Sequence, residues 1–469
     1  MINQAKDVYF IGIGGIGMSA VARLLLLKKK WVRGSDLRES ETINQLRKLG
    51  AEITIGHSAA NLTETHPDLI VYSEDISPES KGFVELKAAL DLKIPAITYA
   101  KALGQMMSGQ FNIAVSGTNG KSTTTAILSL ILEEAGFDPT VVVGSKLSDK
   151  NSSVEFQANA RLGSGKYFVA EADEYHRHMM EIDPNMIVLT NIAEDHLDYY
   201  RDIQDIKGSF EAFIEKLPHG DGVVIYNADD HNSVEVARKS SCHKLTFGIH
   251  HYGDLQAVNV ESGPAWQAFD MHYKDENLGR VELKVPGLFN MSNALAAALA
   301  AFRLGIDFKA VKRVLENFAG IWRRFELVGK MGETIIVSDY AHHPAAVLGT
   351  IRAAKAFFPG KKILFVFQPH HKDRTLKLMG EFIESLLEAD NLLLCEIFEV
   401  AGREHGERVS STDLVSGLAE QGMTAEYAKD LKEAETNILS KASQFDAIVL
   451  MGAGDIDSLA RKLAATIKA

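Results

Sequence analysis

The chain has 469 residues, 46% of them hydrophobic and 24% charged, with 62 acidic against 50 basic side chains. That length exceeds one ordinary core and implies two or three domains. The net charge of −12 argues against non-specific binding to nucleic acid or to an anionic membrane surface. Cys242 and Cys395 stand far apart, with neither a disulfide-framework nor a zinc-site spacing. The longest apolar runs, such as 20–27, are too short to span a bilayer. The first residues lack a leader pattern. A cytoplasmic protein is expected.

In chain order, VYFIGIG (8–14) reads as a strand and SAVARLLLLKK as a helix, then DLIVYS (68–73) as a strand and FVELKAAL as a helix. This alternation is the βαβ rhythm of a parallel sheet. GQMMSGQFN (104–112) reads as a linker. IAVSG (113–117) opens a second α/β unit, with further buried strands at 166–173, 185–192 and 222–227. A more polar, β-like stretch covers 243–286, and an alanine-rich helix covers 293–306. A third unit starts near GIWRRF (320–325), and its strands are ETIIVSDYA, KKILFVFQPH, NLLLCEIF and FDAIVLMGAGD. The expected architecture is three α/β domains: an N-terminal Rossmann-like parallel sheet (1–107), a central P-loop ATPase-type domain (108–320) and a C-terminal Rossmann-like domain (321–469).

Three groups of residues carry chemistry. The first is the loop Gly12-Ile13-Gly14-Gly15-Ile16-Gly17, between a strand and a helix. Glycines let the backbone approach a diphosphate, and the helix N-terminus offers free N–H groups to it. Ser35-Asp36 follows at the end of the next strand, where an acidic residue can bind a ribose. On these residues alone the ligand is a nucleotide diphosphate, with NAD the usual guess, and a ligand-free glycine turn is the alternative.

The second group is GTNGKSTTT (117–125). A strict P-loop carries glycine where this chain has Val115, but the strand–loop–helix placement is right. Lys121 is placed to reach β and γ phosphates, and the Ser122 hydroxyl to ligate Mg²⁺. EADEY (171–175) and TNIAEDH (190–196) end two strands at the same sheet edge, so Glu171 and His196 are candidate metal partners. The alternative there is a solvated acidic turn. The third group, WRRF (322–325), SDYAHHP (338–344) and FQPHHKDR (367–374), reads as polar loops at strand ends.

Taken together and in order, GIGGIGM, GTNGKSTTT, EADE, TNIAEDH, FNMSNALAA, WRRFE, DYAHHP and FQPHHKDRT resemble the Mur ligase family, the ATP-dependent amide-forming enzymes that build the peptidoglycan peptide. The family's P-loop commonly lacks the first glycine, which accommodates Val115. Within the family, GIGGIGM, the DYxHHP motif and FQPH resemble the branch that joins L-alanine to the carboxylate of UDP-N-acetylmuramate.

The resemblance implies ATP and Mg²⁺ (or Mn²⁺), an acyl-phosphate intermediate, and a monomer or weak homodimer. It implies that Gly14, Gly15, Ile16, Gly17, Ser35, Asp36, His57 and Ser73 hold the UDP-sugar, in place of NAD. Gly117, Thr118, Asn119, Gly120, Lys121, Ser122, Thr123, Asn293, Arg324 and Asp339 would hold ATP. Ser122, Glu171 and His196 would hold metal. Tyr340, His342, His370 and Arg374 would line the amino-acid pocket. Lys121, Glu171, His196 and Arg324 are the implied catalytic set.

The chain departs from the branch pattern at Asn119 and Ser122 in the loop, at Phe289, at Asp173-Glu174-Tyr175-His176, and at His371-Lys372-Asp373. The last two bear on the amino acid accepted. The nearest rival is the recycling ligase that joins UDP-N-acetylmuramate to a tripeptide. Many relatives carry a carbamylated lysine after the metal-binding histidine. The nearest lysine here, Lys207, is out of register and is not assigned that role.

Overall fold

The computed structural model describes residues 1–146, 159–196, 199–263, 265–399 and 409–466. The architecture is three-domain α/β, with one sheet in each domain. The chain divides into two compact units. One comprises Met1–Gln256, His272–Glu276 and Ser292–Val314, and the other Ala257–Met271, Asn277–Met291 and Leu315–Ala469. Among the described residues no helix is long and apolar enough to cross a membrane.

The first sheet is parallel. It contains β1 (Asp7–Ile11), β2 (Trp31–Asp36), β3 (Glu52–Ile55), β4 (Leu69–Tyr72) and β5 (Ala96–Thr98), in the order β3-β2-β1-β4-β5. The order reverses beside β1, and ligands of open α/β sheets gather at such a switch point. The register places Ile11 opposite both Ser35 and Tyr72. The loops that follow β1, β2 and β4 therefore share one edge.

The linker reading of 104–112 fails. Helix Tyr99–Met107 takes its first half, β6 (Phe111–Ser116) takes its last two residues, and only three residues connect them. Met106 and Met107 are buried, so the amphipathic face of that helix, not its glycines, decides the local structure.

The central sheet adds β7 (Thr140–Val142), β8 (Ala160–Arg161), β9 (Tyr167–Ala172), β10 (Met186–Leu189), β11 (Val223–Asn227) and β12 (His243–Gly248). They run β12-β11-β10-β6-β9-β7-β8, with β8 antiparallel to β7. Ser116 lies opposite Ala172 on one side and Leu189 on the other, so the ends of β6, β9 and β10 are level. The polar stretch resolves into β13 (Leu255–Gly263), β14 (Trp266–Tyr273) and β15 (Glu276–Leu283). The alanine-rich helix starts earlier than its alanines suggest, at Leu288–Arg303.

The last sheet holds β16 (Glu326–Met331), β17 (Thr334–Asp339), β18 (Ile363–Phe367), β19 (Leu392–Cys395), β20 (Glu426–Ala428) and β21 (Ala447–Met451), in the order β16-β17-β21-β18-β19-β20. Among the described residues of this sheet, only β16 is antiparallel to its neighbour. Asp339, Met451 and Phe367 lie side by side at its C-terminal edge.

Candidate active site

The phosphate loop is stapled to the end of β10. Thr118 N donates to Asn191 O at 2.9 Å, and Asn119 N to Asn191 Oδ1 at 3.1 Å. The Thr190 hydroxyl and the Asn191 amide both donate to Asn119 O. The amides of Lys121, Ser122 and Thr123 form the first turn of helix Lys121–Glu134, where no intrahelical acceptor exists, and an anion is their natural partner. Two glycines here are obligatory. Gly117 has φ +125, and a Cβ on it would meet Thr190 Oγ1 at 2.3 Å. Gly120 has φ +88, and its Cβ would meet Asn293 Oδ1 at 2.3 Å. Asn293 Oδ1 also accepts from the Thr124 hydroxyl at 3.3 Å, so Asn293 lies over the start of this helix.

Lys121 Nζ donates to Glu174 Oε2 at 2.7 Å and to Gly117 O at 2.6 Å, with Asp173 Oδ1 3.8 Å away. Burial draws the ammonium down, but Glu174, Asp173 and Glu171 outweigh it and hold Lys121 above its ordinary range. Burial also pushes the Glu174 carboxyl up to about 8, against the pull of Lys121. Glu174 is 2% exposed, so the solvated acidic turn is excluded for this residue. Its Oε1 is buried and meets no hydrogen-bond donor among the described residues.

Ser122 Oγ donates to Glu171 Oε2 at 3.1 Å, and Gly144 N donates to Glu171 Oε1. Beside this pair, one ligand atom each of Asp173, Glu174 and His196 lie within 4.8 Å of one another. The His196 ring stacks on Tyr175, with centroids 4.4 Å apart. Carboxylate and hydroxyl oxygens with an orphaned buried carboxylate atom fit a hard divalent cation. Ser122 and Glu171 come together as the sequence suggests, while His196 sides with Asp173 and Glu174, which motif reading passed over. Lys207 is buried in an ion pair with Glu235.

In the first domain, Gly12 N and Ile13 N donate to Ser35 O, and Gly14 N donates to Asp36 Oδ2 at 2.8 Å. Asp36 thus closes the glycine loop, and a Cβ on Gly14 would stand 2.8 Å from that same oxygen. Gly15 caps helix Ile16–Leu27. Ser35 Oγ lies 2.9 Å from His57 Nδ1, and both meet the buried Glu85. Ser73 follows β4 at the same edge, its hydroxyl 3.3 Å from Asp75 Oδ2. Asn159 of the central domain donates to Ile16 O at 2.5 Å, and His178 Nε2 lies 3.2 Å from Glu74 Oε2, one residue beyond Ser73.

In the third domain, the Arg323 and Arg324 guanidiniums each lie 4.8 Å from the Tyr340 ring centroid. Arg323 also donates to Gly452 O and Gly454 O. Asp339 is buried and accepts from Phe325 N at 2.6 Å, Ala341 N at 2.7 Å and Thr350 Oγ1 at 3.2 Å. Burial pushes its carboxyl up, and Arg324 and these donors oppose the shift. Its oxygens tie the backbones on either side of Arg324 and Tyr340 together. His342 Nδ1 donates to Tyr340 O at 2.8 Å, and its ring lies edge-on to His370 at 6.2 Å. His370 stacks on Phe398 at 5.5 Å and 8°. Phe398 follows β19, and nothing in the motifs singles it out; its position just past a strand end is the signal that could have. His371 adopts φ +69, and Arg374 lies in the short helix Lys372–Lys377.

Comparison with known proteins agrees along the chain. The Mur ligase family, catalytic domain matches residues 7–111, the Mur ligase middle domain matches 115–301, and the Mur ligase, glutamate ligase domain matches 323–454. The UDP-N-acetylmuramate–L-alanine ligase of Alkaliphilus metalliredigens is 37% identical over 99% of this chain and 98% of its own. That of Clostridium novyi is 39% identical over 96% and 95%. The crystal structure of the UDP-N-acetylmuramate-alanine ligase from Thermotoga maritima superposes with a TM-score of 0.81 at 28% identity, covering 97% of this chain and 98% of that one. With three matching domains in order and full-length relatives above 35% identity, the chain belongs to the Mur ligase family.

Proposed function

We infer that the protein is an ATP-dependent amide ligase that joins L-alanine to the carboxylate of UDP-N-acetylmuramate, releasing ADP and phosphate, in the synthesis of a peptidoglycan precursor. The observation that carries this reading is the near-complete mutual coverage with relatives of 37 to 39% identity that bear that activity in their names. The domain division that suits it is 1–107 for the UDP-sugar, 108–320 for ATP and 321–469 for the amino acid.

The residues supply the parts such a reaction needs. The first-turn amides of helix Lys121–Glu134 receive phosphate oxygens. Lys121 exchanges Glu174 for the β and γ phosphates. Ser122 with Glu171, and His196 with Asp173 or Glu174, would hold Mg²⁺, which when bound neutralises charge on the transferring phosphoryl group. A carboxylate oxygen of the sugar attacks the γ-phosphorus and ADP leaves, giving an acyl phosphate. The amine of L-alanine then attacks the carbonyl carbon, and the tetrahedral intermediate expels phosphate and loses a proton. Arg324 suits the phosphoryl charge, and Arg374 suits the amino-acid carboxylate. Tyr340, His342 and His370 shape the pocket around the amine. Asp339 acts on ATP indirectly, by fixing the backbone that presents Arg324.

Phosphate release with ATP, Mg²⁺ and UDP-N-acetylmuramate tests the reading, with single amino acids and then the L-alanyl-γ-D-glutamyl-diaminopimelate tripeptide added. Release with L-alanine is expected. Release only with the tripeptide moves the chain to the recycling branch, and none with any acceptor overturns the proposal.

A further inference from the structure

Glu85 is wholly buried at the start of helix Phe83–Asp91, and neither motif nor resemblance assigns it a role. A buried carboxylate is costly unless its oxygens are satisfied. Here five groups converge on it. Oε2 accepts from the Ser35 hydroxyl at 2.5 Å and from His57 Nδ1 at 2.9 Å. Oε1 accepts from the Tyr9 hydroxyl at 3.0 Å, the Asn61 amide at 2.6 Å and Ser58 N at 3.3 Å. Burial pushes its carboxyl up, but the bonds from His57, Ser35 and Asn61 outweigh burial and keep it below the usual range. The charge is therefore retained inside the domain, at a helix N-terminus that favours it.

Two of the five partners, Ser35 and His57, are residues proposed for the UDP-sugar. The Ser35 carbonyl also receives the amides of Gly12 and Ile13, so the network reaches the glycine loop through one residue. The His57 side chain is only 4% exposed, and Nδ1 faces Glu85 and Ser35. Nε2 is turned toward Gly82, where a Cβ would stand 3.6 Å away. A carboxylate that can only accept holds the imidazole proton on Nδ1 and leaves Nε2 as the ring's acceptor nitrogen.

We propose that Glu85 is the positioning residue of the UDP-sugar subsite: it sets the tautomer of His57 and the orientation of the Ser35 hydroxyl, and so the hydrogen-bond pattern shown to the nucleotide. This rests on the reading of the first domain as the UDP-sugar site. Because the subsite lies away from the reacting carboxylate, its loss weakens uniform binding, raising KM without lowering kcat.

The test compares Glu85→Gln, Ser35→Ala and His57→Ala with the wild-type enzyme, with melting curves to confirm folding. Glu85→Gln keeps the shape but offers an amide donor where Oε2 accepted. Its KM for UDP-N-acetylmuramate should rise on the order of tenfold, with kcat and the KM for ATP within about twofold. The ¹⁵N signals of the His57 ring should report a proton on Nδ1 in the wild type and on Nε2 in the variant. If Ser35→Ala and His57→Ala raise that KM while Glu85→Gln does not, the inference falls and the subsite stands. If none of the three changes it, the subsite assignment itself falls. A wild-type ring protonated on Nε2 alone overturns the inference even if Glu85→Gln fails to fold.

Discussion

Lys121 of the phosphate loop is held by Glu174 at 2.7 Å, inside a site where Glu174 is almost wholly buried. Lys121 is thus held in place by a hydrogen bond to a carboxyl group three residues past Glu171. On the proposed function, an incoming triphosphate takes Lys121 over from Glu174. Lys121→Met should lower kcat/KM for ATP by about 10²- to 10³-fold, the scale for losing one charge-stabilising donor. Binding of UDP-N-acetylmuramate, followed by calorimetry, should be unchanged.

Gly120 tests the loop itself. Its φ of +88 and the 2.3 Å approach of Asn293 Oδ1 leave no room for a methyl group. Gly120→Ala should lose ATP binding in a fluorescent-nucleotide titration and lower the melting temperature. Adding Asn293→Ala should relieve the contact but not the backbone strain, so the double variant should recover stability only in part.

Divalent cation dependence should track the Ser122–Glu171 pair. Chelation should stop phosphate release, and added Mg²⁺ should restore it. Glu171→Gln should shift the Mg²⁺ requirement upward by about 10- to 100-fold in a titration of initial rate. An unchanged Mg²⁺ midpoint would place the ion elsewhere.

The proposed amino-acid pocket is tested at Phe398, whose ring stacks on His370. Phe398→Ala removes that support and should raise the KM for L-alanine several-fold, while the KM for ATP stays constant. A stacked aromatic pair is worth about 0.5–1.5 kcal/mol, which sets the size of the effect.

Acid stability has a local contributor in Asp138. Ser164 first, then Arg161, hold its carboxyl down at about 2, below the 3.8 of an ordinary aspartate. A depressed carboxylate stabilises the fold above its unfolded value and loses that contribution as pH falls through the folded one. The wild-type advantage over Asp138→Asn, which keeps a residue suited to the backbone φ of +45, should thus be full above about pH 5 and largely lost by about pH 2. The side chain is 40% exposed, so the difference should be no more than about 1 kcal/mol, read by urea unfolding across that range.

Much of this molecule could be read along the chain, for a local reason. A strand, a glycine turn and a helix that follows them are contiguous, so the loops at Gly12–Gly17 and Gly117–Thr123 declare themselves. The parallel strands are continuous apolar runs, and their ends mark where polar groups collect. Ser122 beside Glu171 follows from two such ends lying in adjacent strands, β6 and β9. The misreading of 104–112 had the opposite cause: glycine, serine and asparagine suggested a linker, while two buried methionines made a helix.

What the sequence by itself determined was the family, the α/β class, the order of its sheets along the chain and the strand-end loops that bear the chemistry. Tertiary structure alone decided which side chains share a partner. Glu174 takes Lys121, Asn293 covers Gly120 from a helix 173 positions away in sequence, and Glu85 gathers Tyr9, Ser35, His57 and Asn61. Hydrogen bonds and ion pairs act over about 3 to 4 Å. Those partners lie 24 to 173 residues apart, and only the folded sheets bring them within that reach.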